Sequence, residues 1–568
     1  MAKPKKFAVI DCETEAFVFG NIPSPFIWGY YDGDNYEEFT STVALVEFIS
    51  NKREIIYAHN GGKFDFHFLL DYMRAYTPVM FINGRIAKIK LGDAELRDSY
   101  LAIPVPLAAY QKDNEGYDYG IHAPELRNLP HNKKLISTYL QSDCKNLYDI
   151  MFAFREKHGN ALTQAGASMK LWQKMSGKVA PQSTQKYFED MRSYYYGGRV
   201  QCFKTGIIDK PFSVYDINSA YPAAMRHNHP FGLNAVKKHN IKADYCYDKP
   251  QAFFNITCIS DGAFPYREKV GAKLLFPSDD KMRTYLITGW ELKAALDNNA
   301  VKNLTVNFIY DYDELTDFRE YIDTLYNERL GYKSVGDKAG DLLSKLAMNS
   351  LYGKFGSNPE HYKHAIIFDV SDIAELILGV KKANGHLLEK EIKAIFKSGG
   401  VKNKDDVKFE LKGFFGELPV GERPLYDNEK VYYNVATAAS ITGFVRAFLF
   451  DSMCKCKDVL YCDTDSIACG DGSQLPQSKN LGDWKKEGDF YKAAIVARKL
   501  YAFLSTTNEI KDNKIASKGV HLNEDEIFRL ANGETIINQF DPPNFNILRG
   551  ARFVERKLQF IVDESDDI

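Results

Sequence analysis

Four things are scarce in this 568-residue chain: paired cysteines, net charge, long apolar runs and a leader-like start. The nine cysteines are scattered and form no Cys-x-x-Cys pair; Cys454-Lys455-Cys456 comes closest and has no second half. That excludes a disulfide framework and a zinc ribbon, and all nine are expected as reduced thiols. No apolar stretch approaches bilayer-spanning length. The start is basic (Lys3, Lys5, Lys6), but the apolar run after it is short and broken by acids, so no secretory leader is expected. These absences point to a soluble cytoplasmic protein without membrane contact. The net charge of −2 gives no overall attraction for polyanions, although surface carboxylates can mask local basic grooves.

What is present is an ordinary globular composition, 45% apolar and 26% charged. The length exceeds one hydrophobic core, so about two to four domains are expected. The 35 Tyr and 38 Phe suit large cores or base-stacking surfaces, and composition does not choose between them.

The chain is organised around Tyr461-Cys462-Asp463-Thr464-Asp465-Ser466, with apolar runs on both sides. This reads as two short strands joined by a tight acidic turn, because Asp and Thr bond their own backbone at turns. Asp463 and Asp465 at one apex are costly without a cation between them, and a hard divalent metal prefers carboxylate and phosphate oxygens. A solvated loop is the bland alternative for an isolated Asp-x-Asp.

Phe7 to Thr14 predicts a strand on which Asp11 and Glu13 share a face. Asp65 follows a Gly-flexed loop (Tyr57 to Lys63) that enters a helix over Phe66 to Tyr72. Tyr139 and Asp143 lie one helical turn apart. Four carboxylates and a phenol suit two metals that activate water against a phosphodiester. Helical sequence follows, with Gly159 and Gly166 as expected breaks. In Tyr194-Tyr195-Tyr196-Gly197-Gly198-Arg199 the glycines allow close backbone approach, and the tyrosines and Arg199 offer stacking and phosphate contacts. Val214 to Ile217 predicts a strand ending near Asp216, then a turn and a Pro-started helix at Pro222. Lys345, Asn349 and Tyr352 recur at helical spacing and line one face, with Leu346, Ala347 and Leu351 on the other. A cation, an amide and a phenol on one face fit a triphosphate, a sugar and a base better than a core.

Together these stretches resemble the family B DNA polymerases, in particular the compact protein-primed replicases of small DNA phages of the tectivirus kind. The ordered set runs from residue 11 to residue 501: three motifs of a DEDD-type 3′–5′ exonuclease with Tyr in the third, then YxGG, motif A (with Ala220 where Leu is usual), motif B (Kx3NSxYG), Tx2GR, the acidic hairpin as motif C, and KxY. The resemblance implies an α/β and α+β multidomain fold: an RNase H-like exonuclease followed by a right-hand polymerase of palm, fingers and thumb, with two inserted subdomains. The expected divisions are the exonuclease at 1–160, palm at 161–262 and 428–511, first terminal protein region at 263–321, fingers at 322–357, second terminal protein region at 358–427, and thumb with acidic tail at 512–568.

By the same resemblance Asp11, Glu13, Asp65 and Asp143 would bind metal, Tyr139 would orient the attacking water, and Thr14, His59, Asn60, Phe64 and Ser99 would hold the frayed primer end. An exonuclease lysine is expected between Pro106 and Tyr139 and does not align. Asp216 and Asp465, with the Ile217 carbonyl, would hold two Mg2+ (Mn2+ substituting), and Asp463 would support them. Tyr221 would exclude a 2′-hydroxyl, Lys345 would hold the triphosphate, and Asn349 and Tyr352 would complete the nucleotide pocket. Tyr195, Gly197, Gly198, Thr442, Arg446, Lys499 and Tyr501 would contact DNA. The implied partners are template and primer DNA, dNTPs, a terminal protein as primer and a single-stranded DNA-binding protein, with the enzyme itself a monomer. Nine lysines between Lys381 and Lys412, about a Gly399-Gly400 hinge, read either as a solvated face or as an arm closing on DNA. The tail Asp563 to Asp567 is expected to be disordered. A primer-dependent repair or plasmid polymerase, or a catalytically dead DNA-binding accessory, are the competing readings.

Overall fold

A computed structural model describes residues 6–73, 77–110, 117–269, 271–367, 410–415, 418–425, 429–507, 509–546 and 550–560. The lysine run up to Lys408 and the acidic tail lie outside the described residues. Among the described residues no helix is long and apolar enough to cross a membrane.

The N-terminal region is built on a mixed ten-stranded sheet. The strand Phe7–Thr14 sits inside it because its apolar residues are buried on both faces. It pairs parallel with Ile55–Ala58, which pairs parallel with Ala94–Asp98, and antiparallel with Pro25–Tyr31. The long helix Pro130–His158 covers one face. Pro130 sits in its first turn, where a missing N–H costs nothing, and Gly159 ends it at φ 61. The other face carries Thr42–Ile49 and the turn Asp65–Tyr72. The helix expected over Phe66 to Tyr72 is of the tighter 3-10 kind, and its three-residue repeat brings Phe66 and Leu69 to the same buried side. The far edge is extended by Tyr362–Ile367, Leu418–Pro424 and Glu410–Phe415, far away in sequence.

A second, antiparallel sheet of seven strands carries the acidic hairpin. Its order is Lys514–Ser517, Leu500–Ser505, Trp484–Ala497, Gly206–Ile217, Ser466–Asp471, Lys457–Asp463, Val200–Cys202. Behind it lies Val435–Cys454, a helix buried almost all round, rich in Ala, Ser and Thr that admit close packing. A four-stranded sheet (Ala235–Lys238, Phe253–Ser260, Met282–Thr288, Val301–Tyr312) with the helix Gly289–Asp297 shares the same core. A C-terminal hairpin, Ile536–Asn546 with Gly550–Leu558, returns to the N-terminal region.

Two local expectations need correction. Gly166 does not break a helix; it lies in the first turn of Gln164–Ser176, its N–H donating to the Thr163 hydroxyl. Pro222 does not start its helix, which runs Ala220–Met225 from Ser219 at φ 56. A proline at the third position still lacks only an N–H that the helix would not have used.

Candidate functional site

Strand register brings the first set of carboxylates together. Asp463 pairs with Ser466 across the turn, and Ser466 pairs with Asp216 on the next strand, where the Ile217 N–H donates to the Asp465 carbonyl at 2.8 Å. Thr464 holds the apex at φ 59, a conformation unfavourable for a β-branched residue. Its N–H donates to the Arg199 carbonyl at 2.6 Å, which ties the apex to the segment Tyr195 to Arg199.

The three carboxylates are not equivalent. Asp463 accepts the Lys499 ammonium at 2.6 Å. Among the described residues neither Asp216 nor Asp465 forms an ion pair. Burial, then the Asp465 charge, then Glu487 push Asp216 up to about 7; burial, then Asp463, raise Asp465. Two half-buried carboxylates, with the Asp465 charge disfavouring ionisation of Asp216, are a donor set that a hard divalent cation relieves. Among the described residues no three His, Cys, Asp or Glu side chains converge as metal ligands. A site completed by substrate phosphate oxygens needs only these two, so the residues fit the group.

The helix Lys338–Phe355 presents the expected face. Lys345 is exposed and Asn349 and Tyr352 half-buried, while Ala347, Met348, Leu351 and Phe355 are buried. Asn349 donates to the Lys345 carbonyl at 2.9 Å. Tyr352 stacks on Tyr221 with centroids 4.4 Å apart and rings 13° from parallel. Gly356 lies against the Tyr195 ring, where a Cβ would approach to 2.7 Å.

Several expected DNA contacts are held differently. Arg446 is buried, its Nε donating to Glu291 at 2.7 Å and its Nη1 to the Tyr196 and Gly197 carbonyls at 2.7 and 3.0 Å. Thr442 is buried and donates to the Ala439 carbonyl. Arg446 therefore holds Tyr196 and Gly197 from behind, and the Thr442 hydroxyl is spent within its own helix. Arg199 is also buried, bonded to the Gly262 carbonyl and Gln201, and is not placed to meet a phosphate. Gly198 lies under Thr464, where a Cβ would approach to 2.7 Å; Gly197 is exposed. Lys499 faces Asp463, and Tyr501 is buried, stacked on Phe503 at 4.3 Å.

The N-terminal carboxylates Asp11, Glu13, Asp65 and Asp143 line one cleft of about 590 Å³, together with His59, Asn60, Phe64 and Tyr139. Burial is the first cause raising every acid in the set. It pushes Asp143 up to about 6 and Asp65 to about 7. Glu13 reaches about 8 with the charges of Asp143 and Asp65 added, and Asp11 is raised well above the ordinary value. Glu13 and Asp65 are buried and Asp11 and Asp143 half-buried; no three of them converge on one point, so a divalent cation here would be completed by substrate phosphate oxygens. The Tyr139 hydroxyl meets that of Tyr119 at 2.8 Å, and Tyr117 stacks on its ring at 4.0 Å. Ser99 is fully buried, bonded to His59 and the Ala58 carbonyl, and cannot touch a primer; Thr14 is buried and donates to the Glu15 carbonyl. His59 has both ring nitrogens engaged, and burial lowers it to about 4, so it is neutral.

Sequence reasoning missed Arg85, Tyr119 and the cleft's roof, formed by Phe540, Pro542, Pro543 and Phe545 of the C-terminal hairpin. Tyr119 lay within the segment searched for a lysine and could have been found there. Nothing in the sequence near Phe545 signals the N-terminal cleft.

A family described as DNA polymerase type B, organellar and viral, matches residues 96–392. The DNA-directed DNA polymerase of Enterobacteria phage PRD1 is 31% identical over 98% of both chains. The DNA polymerase of Bacillus phage phi29 is 23% identical over 88% of this chain and 86% of its own. A structure of the phi29 enzyme with primer-template DNA and incoming nucleotide superposes with a TM-score of 0.69 at 17% identity, covering 98% of this chain and 100% of that one.

Proposed function

The chain belongs to the type B DNA polymerases of organelles and viruses, and from that premise we propose that it copies a DNA template from dNTPs and proofreads with a separate 3′–5′ exonuclease cleft. The observation that carries the polymerase reading is the register that sets Asp216 beside Asp465, both without an ion-pair partner among the described residues, while Lys499 pairs with Asp463.

Asp216, Asp465 and the Ile217 carbonyl would hold Mg2+, or Mn2+ in its place; when bound, such ions activate a primer 3′-hydroxyl and neutralise charge on the leaving pyrophosphate. Lys345 would grip the triphosphate. The stacked Tyr221 and Tyr352 rings would form the wall against the sugar and nascent pair, excluding a 2′-hydroxyl. Lys499 would hold Asp463 in place through their ion pair, leaving Asp216 and Asp465 to face the ions. In the cleft, Asp11, Glu13, Asp65 and Asp143 would hold the ions that activate water, Tyr139 would orient that water, and Phe64 would stack on the unpaired terminal base.

The finer reading, initiation from a terminal-protein hydroxyl in the host cytoplasm with strand displacement, is supported by the two long stretches that separate motif A from motif B and motif B from the acidic hairpin. The test is extension of a primed single-stranded circle with Mg2+ and dNTPs. Long products from wild type and Asp11→Ala, but none from Asp465→Ala, are expected. Loss of synthesis in both variants, or synthesis by Asp465→Ala, would overturn the assignment of two sites. Labelling of a candidate priming protein by dNTP in the absence of a DNA primer tests initiation.

A further inference from the structure

We propose that Arg85 is a positioning residue of the exonuclease cleft, orienting Asn60 so that its amide N–H groups face the unpaired 3′-terminal nucleotide; this rests on the exonuclease reading above. Arg85 opens the strand Arg85–Leu91 after a tight turn through Asn83 and Gly84, both at positive φ. Its Nη1 donates at 2.6 Å to Asn60 Oδ1 and at 2.6 Å to Asp98 Oδ2. Asp98 is fully buried, and the guanidinium lies 4.6 Å from the Tyr100 ring centroid. An anion below and an aromatic face beside it therefore fix the plane of the guanidinium before any ligand arrives.

The consequence for Asn60 follows from amide chemistry. With Oδ1 committed to Arg85, the two donors on Nδ2 must point elsewhere, and Asn60 lines the same cleft as Asp11 and Asp65. Its backbone is equally constrained. Asn60 sits at φ 61, and Gly62 presses on the Arg85 strand so closely that a Cβ would come within 2.0 Å of the Ile86 carbonyl. A lysine at 85 would offer a point charge instead of a fork and could not hold Asp98 and Asn60 in one plane.

The test is a double-mutant cycle on the full-length protein, degrading a 5′-labelled single-stranded oligonucleotide in Mg2+. Arg85→Ala and Asn60→Ala are each expected to raise KM about 10-fold with little change in kcat, and the double variant to be no worse than either single one. Arg85→Lys should not restore KM. Primer extension by the same preparations reports folding. If Arg85→Ala leaves Asp98 too poorly paired to fold, Arg85→Gln takes its place in the same cycle. Multiplying effects, an unchanged KM, or rescue by lysine would overturn the role. Asp65→Asn separates the two levels: degradation by wild type that this variant abolishes establishes the nuclease, whereas a wild type that degrades nothing removes the nuclease and this role together.

Discussion

Asp463 and Asp465 stand two residues apart on one turn, yet one is paired with Lys499 and the other is left to repel Asp216. A similar inequality governs the N-terminal cleft, where burial and then the Asp98 charge hold Asp65 near 7, and burial with the charges of Asp143 and Asp65 holds Glu13 near 8. A raised carboxylate keeps a proton in the folded state that the unfolded chain has released, so stability falls as pH rises from the unfolded value toward the folded one. Below about pH 6.5, buried histidines such as His59 and His229, both lowered to about 4, act in the opposite sense, because the unfolded chain takes up their protons first. The clean window is therefore about 6.5 to 8. In EDTA, the melting temperature should fall across it. Saturating Mg2+ should raise the melting temperature by about 2 °C or more at the upper end and less at the lower, since the ion binds only the ionised acids. Asp65→Asn should flatten both trends. A melting temperature in EDTA that is level from 6.5 to 8 would contradict this electrostatic account.

At the scale of elements, the segment Tyr195 to Arg199 touches the hairpin apex through Arg199 and Gly198 and the helix Val435–Cys454 through Arg446, and these distant contacts decide which readings were legible in the sequence. Asp216, Asp463 and Asp465 could be placed because strand alternation and a tight turn are written locally. Arg446 was visible as a motif residue, but its role was not. Contact with Glu291 links residues 155 positions apart, and a helix buried on nearly every side shows no polar face in its sequence. Ser99 was misread for the same reason: a small hydroxyl looks alike whether it meets DNA or His59.

Two predictions belong here. Arg446 and Glu291 are each about 1% exposed, so Glu291→Ala strands a buried guanidinium and should cost about 3–5 kcal/mol in urea unfolding. The paired change Arg446→Met with Glu291→Leu should recover part of it, because an apolar pair leaves no charge unmet. A loss of under about 1 kcal/mol in the single variant would show the pair to be solvated. Gly198→Ala, in turn, pushes a methyl into Thr464 at the hairpin apex. It should slow nucleotide incorporation by about 10- to 100-fold by displacing Asp463 and Asp465, while degradation of single strands proceeds as in wild type. Equal loss of both activities would instead indicate general misfolding.

Across the whole molecule, the two lobes are less separable than their motif order suggests. The sequence places the nuclease motifs before the polymerase motifs. Hidden from it is the return of later segments, because strand pairing between distant stretches leaves no local mark. Tyr362–Ile367 completes the N-terminal sheet against Pro78–Ile82, burying Ala365 and Ile367 with Val79 and Phe81. Leu343 of the motif helix enters the core of Phe154 and Ile150. Phe545 packs on Phe64, His67 and Phe68. Removing residues 1–160 thus uncovers three apolar faces and an unpaired strand edge, the combination that drives aggregation. A fragment starting at 161 should be insoluble or melt well below the full chain, even though it contains every polymerase motif. Co-expression with 1–160 should restore solubility and primer extension by re-forming the shared sheet. A soluble, monomeric fragment that melts with the full chain and extends primers normally would mean that these contacts are incidental. The region carrying the polymerase motifs would then be a self-sufficient folding unit, contrary to its strand pairing and its Leu343 and Phe545 packing on the N-terminal region.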